Sequence, residues 1–414
     1  MTGKIVVAPP WERDPLGEVR VPSQDEIDLM VRTAHASAST WAAVPAWQRS
    51  QPLEDAARAL ASAAESIGPL LARESGKILC QAIEEVRGAA YLMRRNADLG
   101  RDETGRLLPT GSLPGTDGDL AWERRVPLGV VVAIIPFNFP VELLVEKAAA
   151  ALVAGTVVIV KPPEQDPLAV TEVVRLIHEA GIPNDVLQIA HGDAAVGAFL
   201  AQHPGVDAVS LTGSTNAGRS VAAGTARALR RLHLELGGND PAVVLEDADL
   251  DLVVPELVRG RLLMNGQSCA SNKRVIAARP IAEELERRLV ERLIDEKAAA
   301  RVIEQARTAV GEGARPALGA LEARGAFVDP IVLTDVPHRS QVARDDEIFG
   351  PVFTLLTVDD DDEAISVANA SSMGLMGCVF SRDLARALAV ADRLETGGVV
   401  INGTGNYRPP FVPF

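Results

Sequence analysis

The sequence predicts an α/β protein built on parallel β-sheet, and three observations support this. From Gly129 onward, short runs of Val, Ile and Leu alternate with segments of helical length. These runs are apolar at consecutive positions, the pattern of strands covered by helices on both faces. At 414 residues, with 47% hydrophobic and 23% charged, the chain is long enough for about two to four domains with substantial cores.

The first hundred residues read as helices. Ser23-Gln-Asp-Glu26 has the form of a capping box opening a helix through about Val44, and helical patterns continue over Pro52 to Lys77 and Cys80 to Leu99. Gly105 to Asp119 is punctuated by Gly and Pro and ends in Trp122-Glu-Arg-Arg-Val, so a projecting β-hairpin is expected there. Strands then follow at Gly129–Ile135, Thr156–Val160, Val186–Ala190 and Val206–Leu211. The helices between them are Val141–Leu152, Leu168–Ala180 and Ala194–Gln202. A second alternating block starts at Pro241, with a strand at 241–245, a helix at 249–264, a strand at 273–278 and helices to about 312. Further units run to Ile401, and Asp359–Asp362 reads as a solvated acidic turn.

Formal net charge is −15, from 41 Lys+Arg against 56 Asp+Glu, which argues against nucleic acid and anionic membrane surfaces as partners. Three cysteines are too few for a disulfide framework and fit a reducing, cytoplasmic compartment. The first ten residues lack the apolar stretch of a signal peptide. The longest apolar run, Ala148 to Val160, contains Gly155 and is too short to span a bilayer. The six histidines show no metal-ligand spacing, so no metal site is expected.

Four segments could carry chemistry. Leu211-Thr-Gly-Ser214 joins a strand to a helix, where Gly213 permits a tight turn and helix N–H groups face an anion. The spacing Gly213 to Gly218-Arg219-Ser220 approaches a P-loop, but Arg219 stands where Lys is required. Asn265-Gly-Gln-Ser-Cys269 sets a cysteine among small and polar residues, which leaves a thiol accessible. Cys80 and Cys378 read instead as core residues. Leu234-Glu235-Leu236-Gly237-Gly238 places a carboxylate at the end of an apolar strand, suited either to general-base work or to a salt-bridged strand end. Ile135-Pro136-Phe137-Asn138 follows another strand, and its amide could donate to an oxyanion or simply shape a turn.

Taken together, these residues resemble the aldehyde dehydrogenase superfamily along essentially the whole chain. The matching segments are Pro136-Phe-Asn138, Lys161-Pro-Pro-Glu164, Thr212-Gly-Ser-Thr, Glu235-Leu-Gly-Gly, Gly266-Gln-Ser-Cys269 and Glu347-Ile-Phe-Gly-Pro351. The resemblance explains Gly213 to Gly218 without a P-loop lysine. It implies that Cys269 is the nucleophile, forming a thiohemiacetal and then a thioester, with Asn138 and the Cys269 N–H holding the oxyanion. Glu235 then activates the hydrolytic water, and Lys147 matches a buried lysine credited with proton transfer. Glu235 argues against the CoA-acylating branch, which commonly lacks this base. A CoA-acylating or reductive relative, and a non-catalytic protein on this fold, are the alternatives.

The implied cofactor is NAD, with NADP also possible. Ile135 and Pro136 would line the nicotinamide channel, Lys161 and Glu164 the adenine ribose, and Thr212, Gly213 and Ser214 the pyrophosphate. Leu236, Glu347 and Phe349 would serve the nicotinamide end. Glu164 favours NAD over NADP, because a carboxylate accepts from a ribose 2′-hydroxyl and repels a 2′-phosphate. The substrate is a small-molecule aldehyde, and Arg408 could pair with an anionic tail of the semialdehyde type.

The implied architecture is a Rossmann-type NAD-binding domain over 1–101 and 127–235, with an α/β catalytic domain over 236–401. An oligomerisation element over 102–126 and 402–414 would make a homodimer or homotetramer. Family members usually carry one further segment between Leu293 and Ile294 and another after Phe414. Both are expected to be flexible stretches omitted from the sequence rather than true deletions.

Overall fold

The computed structural model describes residues 3–12, 14–102, 105–292, 301–322 and 328–407. The chain divides into two compact units, Met1–Glu235 and Leu236–Phe414.

The first unit is organised around a five-stranded sheet in the spatial order Leu187–Ile189, Val157–Lys161, Val130–Ile134, Ala208–Thr212, Arg231–Glu235, with every pair parallel. Strands at its centre are buried at nearly every position, as the consecutive apolar runs require. The chain builds outward from Val130–Ile134 in one direction, then returns to Ala208–Thr212 and builds in the other. The carboxyl ends of those two neighbouring strands therefore form a topological switch point, where ligand crevices of open α/β sheets lie.

The capping box at Ser23 is present in both directions, and its helix runs Gln24–Ala43. The next boundary differs from expectation. Helix Ala46–Ser62 contains Pro52 in its interior, and the chain breaks instead at Ala63, whose bridge conformation (φ −88°, ψ 0°) ends one helix and starts Ala64–Ser75. Gly76 in the left-handed region (φ 78°) closes that helix before Leu79–Arg101. The leading segment is not helical: Gly3–Val7 and Gly17–Val21 pair antiparallel, too short to register in a periodicity reading. Arg106–Leu108 and Ala121–Glu123 form the expected hairpin, pinned by Arg106 and Glu123.

The second unit has a seven-stranded sheet in the order Arg315–Leu318, Ile331–Thr334, Val352–Val358, Arg274–Ala278, Pro241–Val244, Met376–Phe380, Gly398–Ile401. Only the Arg315–Leu318 edge is antiparallel. Separate apolar clusters cover its two faces, one around Val243, Ile276 and Leu356, the other around Val244, Val275 and Phe353. Two expectations need correction here and at Cys80. The acidic run is a helix start: Asp360 accepts from the Glu363 amide and caps Asp361–Ala368, and Asp361 takes a two-pronged pair from Arg386. Cys80 is exposed, because it lies in the first turn of its helix on the solvent side, whereas Cys378 is buried in a central strand.

Candidate active site

At the switch point of the first unit, strand Val130–Ile134 runs into Ile135-Pro136-Phe137-Asn138, and Pro140 opens the helix Pro140–Val153. The two first amides of that helix, Val141 N and Glu142 N, donate to Glu85 Oε1 at 2.9 and 3.2 Å. Glu85 is ion-paired with Lys77, both side chains 1% exposed. Lys77 Nζ also donates to the backbone carbonyl of Asn138 at 2.8 Å and lies 4.3 Å from the Phe139 ring centroid. Asn138 is buried, and its main chain is held by a cation that no motif announces.

One face of the outer strands collects the titratable groups. Period-two alternation sets His233 and Glu235 on the same side of their strand. Ser210 stands opposite His233 in register, and its Oγ lies 3.1 Å from His233 Nδ1. Lys147, on the covering helix, donates to Ser210 Oγ at 3.1 Å. His233 Nε2 is 3.3 Å from Glu235 Oε1. Burial pulls the Lys147 ammonium below its ordinary range, and the charges of Glu146 and Glu235 oppose that shift. Two residues from the sequence reading, Lys147 and Glu235, are thus joined through two that it missed.

The turn after Ala208–Thr212 fits an anionic, hydroxyl-rich ligand. Thr212 Oγ1 is buried with no hydrogen-bond partner among the described residues. A Cβ placed on Gly213 would meet nothing closer than 3.9 Å, so the turn is open. Ser214 caps the helix Thr215–Thr225 by accepting from Ala217 N, at a helix N-terminus of the kind whose amides and dipole favour anions. The Gly213 amide itself extends the ladder by donating to the Glu235 carbonyl at 3.0 Å. Lys161 ends its strand buried, with its ammonium pulled down by burial against the opposing charges of Glu164 and Asp193, and Glu164 is exposed just beyond.

In the second unit, Cys269 follows a turn in which Met264, Asn265 and Gly266 are all left-handed (φ 51°, 55° and 81°). Arg261 holds that turn: its fully buried guanidinium donates to the Gly266 carbonyl, Ser271 Oγ, and the Ile348 and Val352 carbonyls. Ile348 lies between Glu347 and Phe349, so one side chain ties the cysteine turn to the segment expected at the nicotinamide end. Burial pulls this guanidinium down to about 9. Lys273 makes a second tie, donating to the Cys269 carbonyl at 2.6 Å with its Nζ 3.2 Å from Glu347 Oε1. Burial pushes the Cys269 thiol up to about 11; Lys273 opposes the rise, and Asp240 and Glu347 add to it. Leu236 and Phe349 are half-buried.

A model of the aldehyde dehydrogenase family matches residues 1–414. This chain belongs to the aldehyde dehydrogenase family. A geranial dehydrogenase of Castellaniella defragrans is 37% identical to it, over 94% of this chain and 85% of the relative. A betaine aldehyde dehydrogenase of Rhizobium etli is 33% identical, over 94% and 83%. Among solved structures, the NADP-dependent glyceraldehyde-3-phosphate dehydrogenase from Bacillus halodurans C-125, complexed with NADP, superposes with TM-score 0.93 at 32% identity. It matches 99% of this chain and 89% of that one.

As an aldehyde dehydrogenase, the chain is an NAD(P)-dependent oxidoreductase on an α/β fold with parallel sheets. No helix among the described residues is long and apolar enough to cross a membrane. Arg408 and the position after Leu293 lie outside the described residues. Sequence reading missed Lys77, Glu85, Ser210, His233, Arg261 and Lys273. Only His233 carried a local signal, since it sits two residues before Glu235 and must share its face.

Proposed function

We propose that the enzyme oxidises an aldehyde to its carboxylic acid through a thioester on Cys269. The Cys269 thiolate adds to the carbonyl carbon, and the Asn138 amide and the Cys269 backbone N–H stabilise the resulting oxyanion. What a nicotinamide dinucleotide contributes when bound is a hydride acceptor. In this reading Lys161, Glu164 and the Thr212–Ser214 turn hold its adenosine and pyrophosphate. Ile135, Pro136, Leu236, Glu347 and Phe349 hold the nicotinamide half. Glu235 takes a proton from water, whose oxygen attacks the thioester carbon; the C–S bond breaks, and acid and thiolate are released.

The observation that carries this reading is the setting of Cys269. Its backbone carbonyl accepts from the buried ammonium of Lys273, whose charge opposes the rise of the thiol, and its turn is tied to the Glu347–Phe349 segment. The test follows NADH absorbance with a panel of aldehydes, with and without CoA, in wild type and Cys269→Ala. Aldehyde-dependent NADH formation lost in the variant is expected. A signal that needs CoA would favour the acylating alternative, and an unchanged variant would overturn the mechanism.

NAD is the proposed cofactor, because Glu164 stands exposed beyond Lys161 where a ribose 2′-phosphate would be repelled. Comparing kcat/KM for the two dinucleotides checks it. For substrate, aldehydes with an anionic tail come first, with Arg408 as the pairing residue. A homodimer or homotetramer is proposed from the hairpin, where Leu107, Leu120 and Trp122 are 72%, 69% and 66% exposed, a costly apolar surface for a lone chain. Light scattering would report the assembly, and the expected compartment is the cytoplasm.

A further inference from the structure

The proposed hydrolysis leaves a proton on Glu235 in every cycle, and that carboxyl must lose it before the next. Its side chain is 18% exposed, and the group next to it, the imidazole of His233, is 61% exposed. His233 Nε2 faces Glu235 Oε1 at 3.3 Å, and Nδ1 on the other side of the ring lies 3.1 Å from Ser210 Oγ. The Ser210 contact is a hydrogen bond, whereas the Glu235 contact is an ion-pair distance without hydrogen-bond alignment, the long form that catalytic contacts take before substrate binds and tightens them.

The Ser210 hydroxyl suits both tautomers of the ring. Lys147 Nζ donates to it at 3.1 Å and occupies one lone pair. With Nδ1 bare, the serine O–H donates to it, and Nε2 carries the proton toward the carboxylate. With Nδ1 protonated, the serine accepts through its second lone pair, and Nε2 is bare toward Glu235. The charged groups on this path are Glu235 and Lys147, with Arg231 on the same strand two residues before His233.

We infer that His233 is a positioning residue for Glu235 that passes the proton of the hydrolytic water from the carboxyl to solvent, its ring held for this by Ser210 and Lys147. The water oxygen bonds to the acyl carbon while the C–S bond breaks and Cys269 leaves as thiolate. The water proton goes to Glu235, then to the bare Nε2 of His233, and the exposed imidazolium releases a proton to bulk water. No oxidant or reductant enters these steps. The inference rests on the proposed roles of Cys269 and Glu235.

The test acetylates Cys269 of the full chain with p-nitrophenyl acetate, without cofactor and in a Cys80→Ser background because Cys80 is exposed, and follows loss of the acetyl group by intact mass. Wild type, Glu235→Gln, His233→Ala and His233→Asn are compared, with and without added imidazole. The expected result is acetylation at the wild-type rate in both His233 variants, with deacylation slowed about tenfold or more. Imidazole should restore deacylation in His233→Ala, whose vacated and exposed site admits it, whereas pyrazole, a far weaker base, should not. Deacylation at the wild-type rate in His233→Ala, or a slow rate that imidazole leaves unchanged, would overturn the relay. Failure of Cys269 to acetylate, or fast deacylation in Glu235→Gln, would instead overturn the reading on which it rests.

Discussion

The ammonium of Lys77 donates a 2.8 Å hydrogen bond to the main-chain carbonyl of Asn138 while paired with Glu85, whose carboxylate caps the helix that follows. The side chain expected to meet the oxyanion is thus held through its own backbone by a buried cation. Removing Lys77 alone would leave the Glu85 charge buried and unpaired, at a cost of about 3–5 kcal/mol in stability. The cleaner variant is Lys77→Met with Glu85→Gln, which removes both charges and keeps an acceptor for Val141 N. We expect kcat to fall about tenfold or more, short of the ~10²–10³ that follows outright loss of one oxyanion donor, because the amide is loosened and not removed. In an Asn138→Ala background the same pair of substitutions should cost almost nothing further. Additive losses would show that Lys77 acts elsewhere.

The thiol of Cys269 stands at about 11 because burial outweighs the pull of Lys273. Only the thiolate is nucleophilic, so alkylation of the free enzyme by iodoacetamide should rise about tenfold per pH unit from pH 7 to 10, with no plateau below. Lys273→Met removes the opposing charge and should slow alkylation at every pH in that range. Cys80 is exposed and would react as well, so the measurement belongs in a Cys80→Ser background. A plateau near pH 8 would contradict the burial argument.

Sequence could show what lies close along the chain. Parallel strands of consecutive Val and Ile, the Ser23 capping box and the hairpin near Gly105 all follow from neighbours within a few residues. The contacts that hold the site do not. Lys77 reaches Asn138 across 61 positions, and Arg261 reaches Ile348 across 87. A lysine or arginine at those positions reads as an ordinary helix residue, because nothing local says that the side chain turns inward to carbonyl oxygens. The N-terminal strand pair escaped for the opposite reason: five residues a side are too few to show a period.

Gly237 gives the third prediction. A Cβ there would collide with Glu347 Oε2, and one on Gly238 would lie 2.8 Å from Leu375 Cβ and 3.1 Å from the Cys269 carbonyl. Neither glycine has a left-handed backbone, so crowding alone excludes a side chain. Gly237→Ala should push the Glu347 carboxylate aside and weaken dinucleotide binding about tenfold, in line with ~1–3 kcal/mol for overpacking. Acetylation of Cys269, read in a Cys80→Ser background, should not be slowed in the same variant, because Glu347 pushes the thiol up and moving it away favours the thiolate. Quenching of protein fluorescence by the dinucleotide reads the first, and intact mass the second. Equal loss of both would mean that the turn as a whole had shifted.

Glu74 links the fold to pH. Its carboxylate accepts from Leu168 N at 2.9 Å and Ala169 N at 2.7 Å, serving the helix Pro167–Glu179, whose own capping residue Asp166 makes no side-chain bond to it. Burial raises Glu74 to about 7 from an ordinary 4.5, and the charge of Glu85 adds to the rise. Between those two values the folded chain holds a proton that the unfolded chain does not. The stability it contributes is therefore complete below about pH 4.5 and is lost as pH climbs through 7, the reverse of a salt-bridged carboxylate. Glu74→Gln fixes the neutral form and keeps one acceptor oxygen. It should be close to neutral at pH 5 and gain on wild type by pH 8, by up to about 3 kcal/mol for a shift of this size. Urea unfolding of both proteins across that range reads the difference, and a gap that widens toward acid would show that the buried carboxylate keeps its charge in the folded chain.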